Sequence, residues 1–151
     1  MAPKDTPEIA RQRDERFRHT SAEHLRRYLA TNGEEGFIEG SGMPSLILTT
    51  TGRRSGKPYS TPLYFGEDNG RYILVGSYAG SDRHPKWYLN LVANPSVEVQ
   101  VRGERFAARA RTAGPEEKPR LWRMMAERFP RYEEYRQATE REIPVVILER
   151  A

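Results

Sequence analysis

Cysteine is absent from all 151 residues, which removes disulfides, thiol nucleophiles and thiolate metal sites from consideration. No apolar run approaches the ~18 residues of a membrane span, and the N-terminal MAPKDTPEIARQRDERFRHT lacks the apolar core of a secretory signal. The expected location is therefore the cytoplasm. Histidine is scarce: His19, His24 and His84 stand apart from any carboxylate at metal-ligand spacing, so no metal site is expected. Neither a Gly-x-Ser-x-Gly elbow nor the Walker spacing Gly-x-x-x-x-Gly-Lys-Ser occurs. The charge surplus is also small, 25 basic against 21 acidic residues, and it cannot by itself choose among nucleic acid, a membrane surface and an anionic small molecule. Stacking aromatics do not alternate with basic residues along one groove, which argues against nucleic acid.

One absence is local. From Gly40 to Gly66 there is no acidic residue, while Arg53, Arg54 and Lys57 fall together beside Thr49, Thr50, Thr51, Ser55 and Ser60. In composition this is an anion site: glycines let backbone N–H groups face an oxyanion, hydroxyls add donors, and a guanidinium pairs with phosphate or carboxylate in two places. The same residues also suit an ordinary solvated hairpin turn.

Along the rest of the chain, residues 7–31 carry a sparse apolar stripe of Ile9, Phe17, Leu25, Tyr28 and Leu29, expected to form a basic amphipathic helix. It would lie on its own protein or a second copy, and a peripheral membrane contact is the alternative. Glycines and Asn32 then break the pattern, so residues 1–35 are expected to be an arm and 36–151 the compact domain. SLILTTT, STPLYF and RYILVGS read as strands, the last two joined through Asp68-Asn69-Gly70. SVEVQVR and RFAARAR, separated by Gly103, read as a second hairpin, and IPVVILE as a sixth strand. Short helices are expected over PKWYLNLVANP, around Leu121, Met124 and Met125, and after Pro130. The class is α+β, mainly β: about six mostly antiparallel strands in a closed or nearly closed barrel, with short helices at the crossings.

A second cluster, GSYAGSDRHPKWYLNL, places small residues at a strand end, where a flat ring could approach, ahead of a helix bearing Trp87, Tyr88 and Asn90. Trp87 is equally readable as core.

Together LTTTGRRSGKPYSTPL, GSYAGSDRHPKWYLNLVANPSVEVQV and FPRYEEYRQATEREIPVVILE resemble the deazaflavin-dependent nitroreductase family, split β-barrel oxidoreductases that use coenzyme F420. The resemblance covers about residues 44–149. It implies a split β-barrel and an oxidoreductase that passes hydride from the reduced deazaflavin to an electron-poor organic substrate, such as a quinone, an enone or a nitro-heterocycle. It also implies that Arg53, Arg54, Ser55, Gly56, Lys57 and Pro58 hold the phosphate and polyglutamate tail. Val75, Gly76, Ser77 and Tyr78, with Lys86, Trp87, Tyr88, Leu89, Asn90 and Tyr132, would contact the deazaflavin ring, and Ser77, Phe129, Tyr132 and Tyr135 would face the reaction. Where the family's nitroreductases have a basic residue, a lysine and a substrate-facing tyrosine, this chain has Tyr59, Tyr78 and Phe129. The last makes the pocket less polar and favours quinones or enones. The partners expected are a small-molecule substrate and no nucleic acid, in a monomer or homodimer. Two further readings share the barrel: a non-catalytic F420-binding protein, and an FMN-binding enzyme.

Overall fold

The structure, a computed structural model, describes residues 6–151. Helix α1, Pro7–Thr31, starts where the Thr6 side chain accepts a hydrogen bond from the Ile9 N–H at 3.1 Å, with proline in its first turn. It ends at Asn32 in the left-handed region, φ 52°. The strands are β1 (Ser45–Thr51), β2 (Pro58–Tyr64), β3 (Gly66–Asp68), β4 (Arg71–Val75), β5 (Ser96–Val101), β6 (Glu104–Thr112) and β7 (Val145–Arg150). Three further helices are α2 (Lys86–Ala93), α3 (Lys118–Arg128) and α4 (Arg131–Ala138). Among the described residues, no helix is long and apolar enough to cross a membrane.

All strands form one sheet in the order β2-β1-β5-β6-β7-β4-β3, every pair antiparallel. Its two edge strands, β2 and β3, are consecutive in the chain and separated by Phe65 alone. The sheet must therefore curl until its ends meet, and the result is a split barrel. The expected strands are all present, with one difference in pairing. The segment STPLYF pairs with β1 rather than with RYILVGS, and the hairpin partner of β4 is the three-residue β3. Alternation marks a strand but not its partner. The Asn69-Gly70 turn, both residues at positive φ, was legible because it is local.

Period-two alternation fills the barrel. Leu46 and Leu48, Val97 and Val99, Ala108 and Ala110, Val146 and Leu148 point inward with Leu74 and Trp87. On the opposite face Ile73, Val75, Val145 and Ile147 meet Leu121, Trp122 and Met125 of α3 and Tyr132 of α4. Strands β4 and β7 are thus covered on both sides, which is why ILV and VVIL are unbroken apolar runs.

The C-terminal end of α1 is joined to this body. Tyr28 is wholly buried. Its hydroxyl donates to the Ser45 carbonyl at 3.0 Å and accepts the Arg102 N–H at 2.8 Å, in the turn between β5 and β6 where Arg102 has φ 54°. Arg27 adds an ion pair to Glu39 at 2.6 Å. Nearer the start of α1, Phe17 packs against Tyr78 with the ring planes tilted and the centroids 5.2 Å apart, so part of the apolar stripe rests on its own protein.

Candidate functional site

Residues 52–57 link β1 to β2 as a self-closed loop. The Gly52 N–H donates to the Lys57 carbonyl and the Gly56 N–H to the Gly52 carbonyl, each at 2.8 Å. A side chain at Gly52 would meet Ser55 Oγ at 2.5 Å, so the loop closes only around glycine there, and Gly56 sits at φ +70°. The base of the loop is braced by α2. Buried Asn90 accepts from the Arg53 N–H at 3.1 Å and from its guanidinium at 3.2 Å, and donates to Thr50 Oγ1 at 3.1 Å. Arg53, Arg54, Ser55, Gly56, Lys57 and Pro58 are exposed. Among the described residues no carboxylate pairs with Arg53, Arg54 or Lys57. The Arg53 guanidinium is held by Asn90, Arg54 and Lys57 extend from the closed loop into solvent, and none of the three charges has a carboxylate partner among the described residues.

Strand β4 ends at buried Val75, and buried Gly76 and Ser77 follow it. Gly76 lies so close to Pro144 that a Cβ would come within 2.9 Å of its ring. The chain then turns through Tyr78 and Ala79, both in the left-handed region at φ 43° and 51°, a cost of about 1–3 kcal/mol each that the surroundings must offset. Tyr78 donates a short hydrogen bond to Asp14, which also receives Arg83 at 2.5 Å. Burial, reinforced by the Asp14 carboxylate, pushes the Tyr78 hydroxyl up to about 12. Behind the loop, the Arg141 guanidinium donates to the carbonyls of Ser77 (2.9 Å), Gly76 (3.2 Å) and Ser81 (2.7 Å). Its remaining nitrogen meets His84 Nδ1 at 3.2 Å. Burial and the Arg141 charge hold His84 below the usual histidine range.

Helix α4 packs on this loop, where a Cβ at Gly80 would stand 3.2 Å from the Tyr135 carbonyl. It carries Tyr132, whose ring lies 5.0 Å from Phe129, 6.4 Å from Tyr135 and 6.3 Å from Trp122. Tyr64, at the end of β2, closes the group edge-on to Phe129 at 5.3 Å. Tyr132 is 4% exposed, yet its hydroxyl has no hydrogen-bond partner among the described residues. Burial raises its pKa, with Tyr64 and Tyr135 adding to the effect, so the group keeps its proton. The hydroxyl is not sealed in and stays open to a ligand oxygen, since among the described residues the one fully buried side-chain oxygen without a partner is Ser45 Oγ.

The expected residues therefore fall into three neighbourhoods: the basic turn with Asn90, the end of β4, and the aromatic group of Phe129, Tyr132 and Tyr135. Trp87 joins none of these rings. It lies 5% exposed inside the barrel against Tyr88, whose hydroxyl meets Thr112 Oγ1 at 2.9 Å. Lys86 is exposed at the start of α2, and Leu89 is half-buried. Sequence reasoning missed Tyr64, Trp122 and Arg141. Tyr64 stands out only once β2 is placed beside α3. Arg141, between Glu140 and Glu142, reads as surface charge.

Residues 20–150 match the family model described as F420H(2)-dependent quinone reductase. An F420H(2)-dependent quinone reductase of Mycobacterium tuberculosis (strain ATCC 25618 / H37Rv) is 39% identical over 140 residues, spanning 88% of this chain and 94% of that protein. A solved structure of an F420-H2 dependent reductase is 42% identical and superposes with a TM-score of 0.65, over 70% of this chain and 94% of that one. Another, described as a domain-swapped dimer, is 38% identical with a TM-score of 0.68, over 85% and 96% of the two chains.

Proposed function

The chain belongs to the F420H(2)-dependent quinone reductase family, and on that premise we propose how its own residues serve the reduction of an electron-poor organic substrate, a quinone above all. F420 fits the turn: its phosphate and polyglutamate carboxylates are anions, and among the described residues Arg53, Arg54 and Lys57 are cations without carboxylate partners, Arg53 held by Asn90. Ser55 adds a hydroxyl, while the Gly52 and Gly56 N–H groups are spent closing the loop. A ring on the end of β4 would rest against Val75, Gly76 and Ser77, with Tyr78 beside it. When bound and reduced, the deazaflavin supplies a hydride from its C5 carbon. The protein's part is to orient, to exclude water and to meet developing charge.

The observation that carries the substrate side is Tyr132. Its proton stays on Oη throughout the neutral range, and the hydroxyl has no competing partner among the described residues. It can donate to a quinone oxygen as negative charge grows there. Ser77 supplies a second hydroxyl at the floor. Phe129 and Tyr135 close the sides, and the absence of a hydroxyl at Phe129 favours flat, weakly polar quinones over nitro-heterocycles, which need more donors. The assembly proposed is a monomer or a homodimer, the latter in line with the relative described as a domain-swapped dimer.

The test follows oxidation of reduced F420 with a quinone and with a bicyclic nitroimidazole. The parent is expected to prefer the quinone, Tyr132→Phe to lose about tenfold or more in kcat, and Phe129→Tyr to shift the ratio toward the nitro compound. A parent that reduces both at one rate, or a ratio untouched by Phe129→Tyr, overturns this assignment of the pocket.

A further inference from the structure

Arg141 is a half-buried guanidinium with an unusual set of partners. Three of the carbonyls it binds, those of Gly76, Ser77 and Ser81, lie 60 to 65 residues away in sequence, and a fourth, at 3.4 Å, is that of the adjacent Glu142. No carboxylate forms an ion pair with it among the described residues. Burial lowers its pKa, with the Asp82 charge opposing the shift. Between two glutamates in sequence it reads as surface charge, yet its guanidinium is half-buried and spent on the backbone of one loop. The loop is also strained, with Tyr78 and Ala79 at positive φ and Gly80 at φ +80° against α4.

We propose that Arg141 is a positioning residue of the reductase site: its planar fork fixes the backbone of residues 76–81 so that the end of β4 presents a rigid floor to the flat ring of the redox cofactor. The inference rests on the reading that this strand end lies under the ring. The geometry suits arginine, since three carbonyls and an imidazole nitrogen are reached from one plane. Lysine has a single ammonium and reaches fewer of them. The His84 contact ties the same guanidinium to the segment that leads into α2, which braces the basic turn through Asn90. One side chain therefore links the ring end of the site to the helix that serves the anion end.

The experiment uses the full chain and the variants Arg141→Lys and Arg141→Ala. It compares the dissociation constant for oxidised F420, by fluorescence titration, with amide hydrogen exchange at Gly80 and Ser81, whose N–H groups bond within this loop to the Ser77 and Tyr78 carbonyls. Arg141→Lys is expected to weaken F420 about tenfold and Arg141→Ala more. Exchange should quicken at Gly80 and Ser81 while β1 and β5 keep the parental rates. If Arg141→Ala does not fold, Arg141→Lys decides. Parental F420 affinity in a folded variant overturns the inference, even where exchange quickens, because the arginine is then structural only. A parent that fails to bind F420 at all overturns instead the reading on which the inference rests.

Discussion

Two groups of basic side chains occupy this protein, and they are treated in opposite ways. Where β3, β4, β6 and α3 meet, Arg71, Arg111 and Arg120 each have a carboxylate. Asp68 accepts from Arg71 at 2.7 Å and from Arg120 at 2.9 and 3.0 Å. Arg111 reaches Glu117 at 2.7 and 3.0 Å and Glu149 at 3.0 Å. At the turn of residues 52–57, Arg53, Arg54 and Lys57 have none among the described residues, and the one polar grip on them is the neutral Asn90. Cations already paired within the chain have a structural task. Cations without a carboxylate partner are left with attraction to spare for an anion from outside.

The difference between tied and free parts extends to α1, and there it has the largest expected effect. Tyr28 ties the end of the helix to β1 and to the β5–β6 turn, whereas Ile9 is 46% exposed. Deleting residues 1–35 removes a wholly buried tyrosine, a loss of about 3–5 kcal/mol from a total stability of about 5–15 kcal/mol. Deleting residues 1–23 spares Tyr28 and should leave a folded barrel that has lost the Asp14 and Phe17 contacts to Tyr78. Thermal unfolding compares the two. A 36–151 fragment that melts within about 3 °C of the parent would show that Tyr28 ties nothing down.

Tyr28 also shows where the sequence stopped being legible. It stands in the stripe of residues 7–31 beside Leu29, which is 42% exposed, and no local pattern separates the two. What separates them is a partner 74 residues away, the Arg102 amide. The same holds for Arg141 and for the pairing of β2 with β1. By contrast, strand positions follow from alternation, the Asn69-Gly70 turn from the need for positive φ, and the basic turn from a local absence of acid. Those are properties of neighbours in the chain. The floor under Ser77 and the aromatic group around Tyr132 are assembled by segments that meet only after folding, and there the sequence offered family likeness rather than geometry.

The next effect in size sets the free cations against the tied ones directly. Arg54→Ala and Lys57→Ala should each weaken F420 binding about five- to tenfold at low salt, the lower range for charged contacts because these side chains are exposed. Arg53→Ala should do more, since Asn90 also loses the guanidinium contact while keeping the residue-53 N–H and Thr50. The differences should shrink as salt rises, and melting temperatures should hardly move for Arg54→Ala and Lys57→Ala. Equal affinity in parent and variants at low salt would mean that the turn binds no anion.

The smallest expected effect belongs to the tied group and appears in acid. The hydrogen bonds from Arg120 and Arg71 hold the Asp68 carboxyl well below the usual range, and that from Arg111 holds Glu117 at about 2 against an ordinary 4.5. Both folded-state values are depressed, so both groups bind their protons less readily in the native protein than in the unfolded chain. Their contribution is fully present above the ordinary carboxylate pKa, fades as pH falls from about 4.5 toward 2 for Glu117, and fades at still lower pH for Asp68. The pairs involving Glu117 are partly open to solvent, so the share of the acid-induced drop in melting temperature that they explain is about 2–5 °C. Melting curves taken between pH 7 and pH 2 should show a shallower fall for Asp68→Asn and Glu117→Gln, each starting from a lower value at pH 7. Arg54→Ala, with no carboxylate to release, should keep the parental slope. If Arg54→Ala flattens the curve as much as Glu117→Gln does, the turn carries ion pairs of its own and the contrast between the two groups of cations falls.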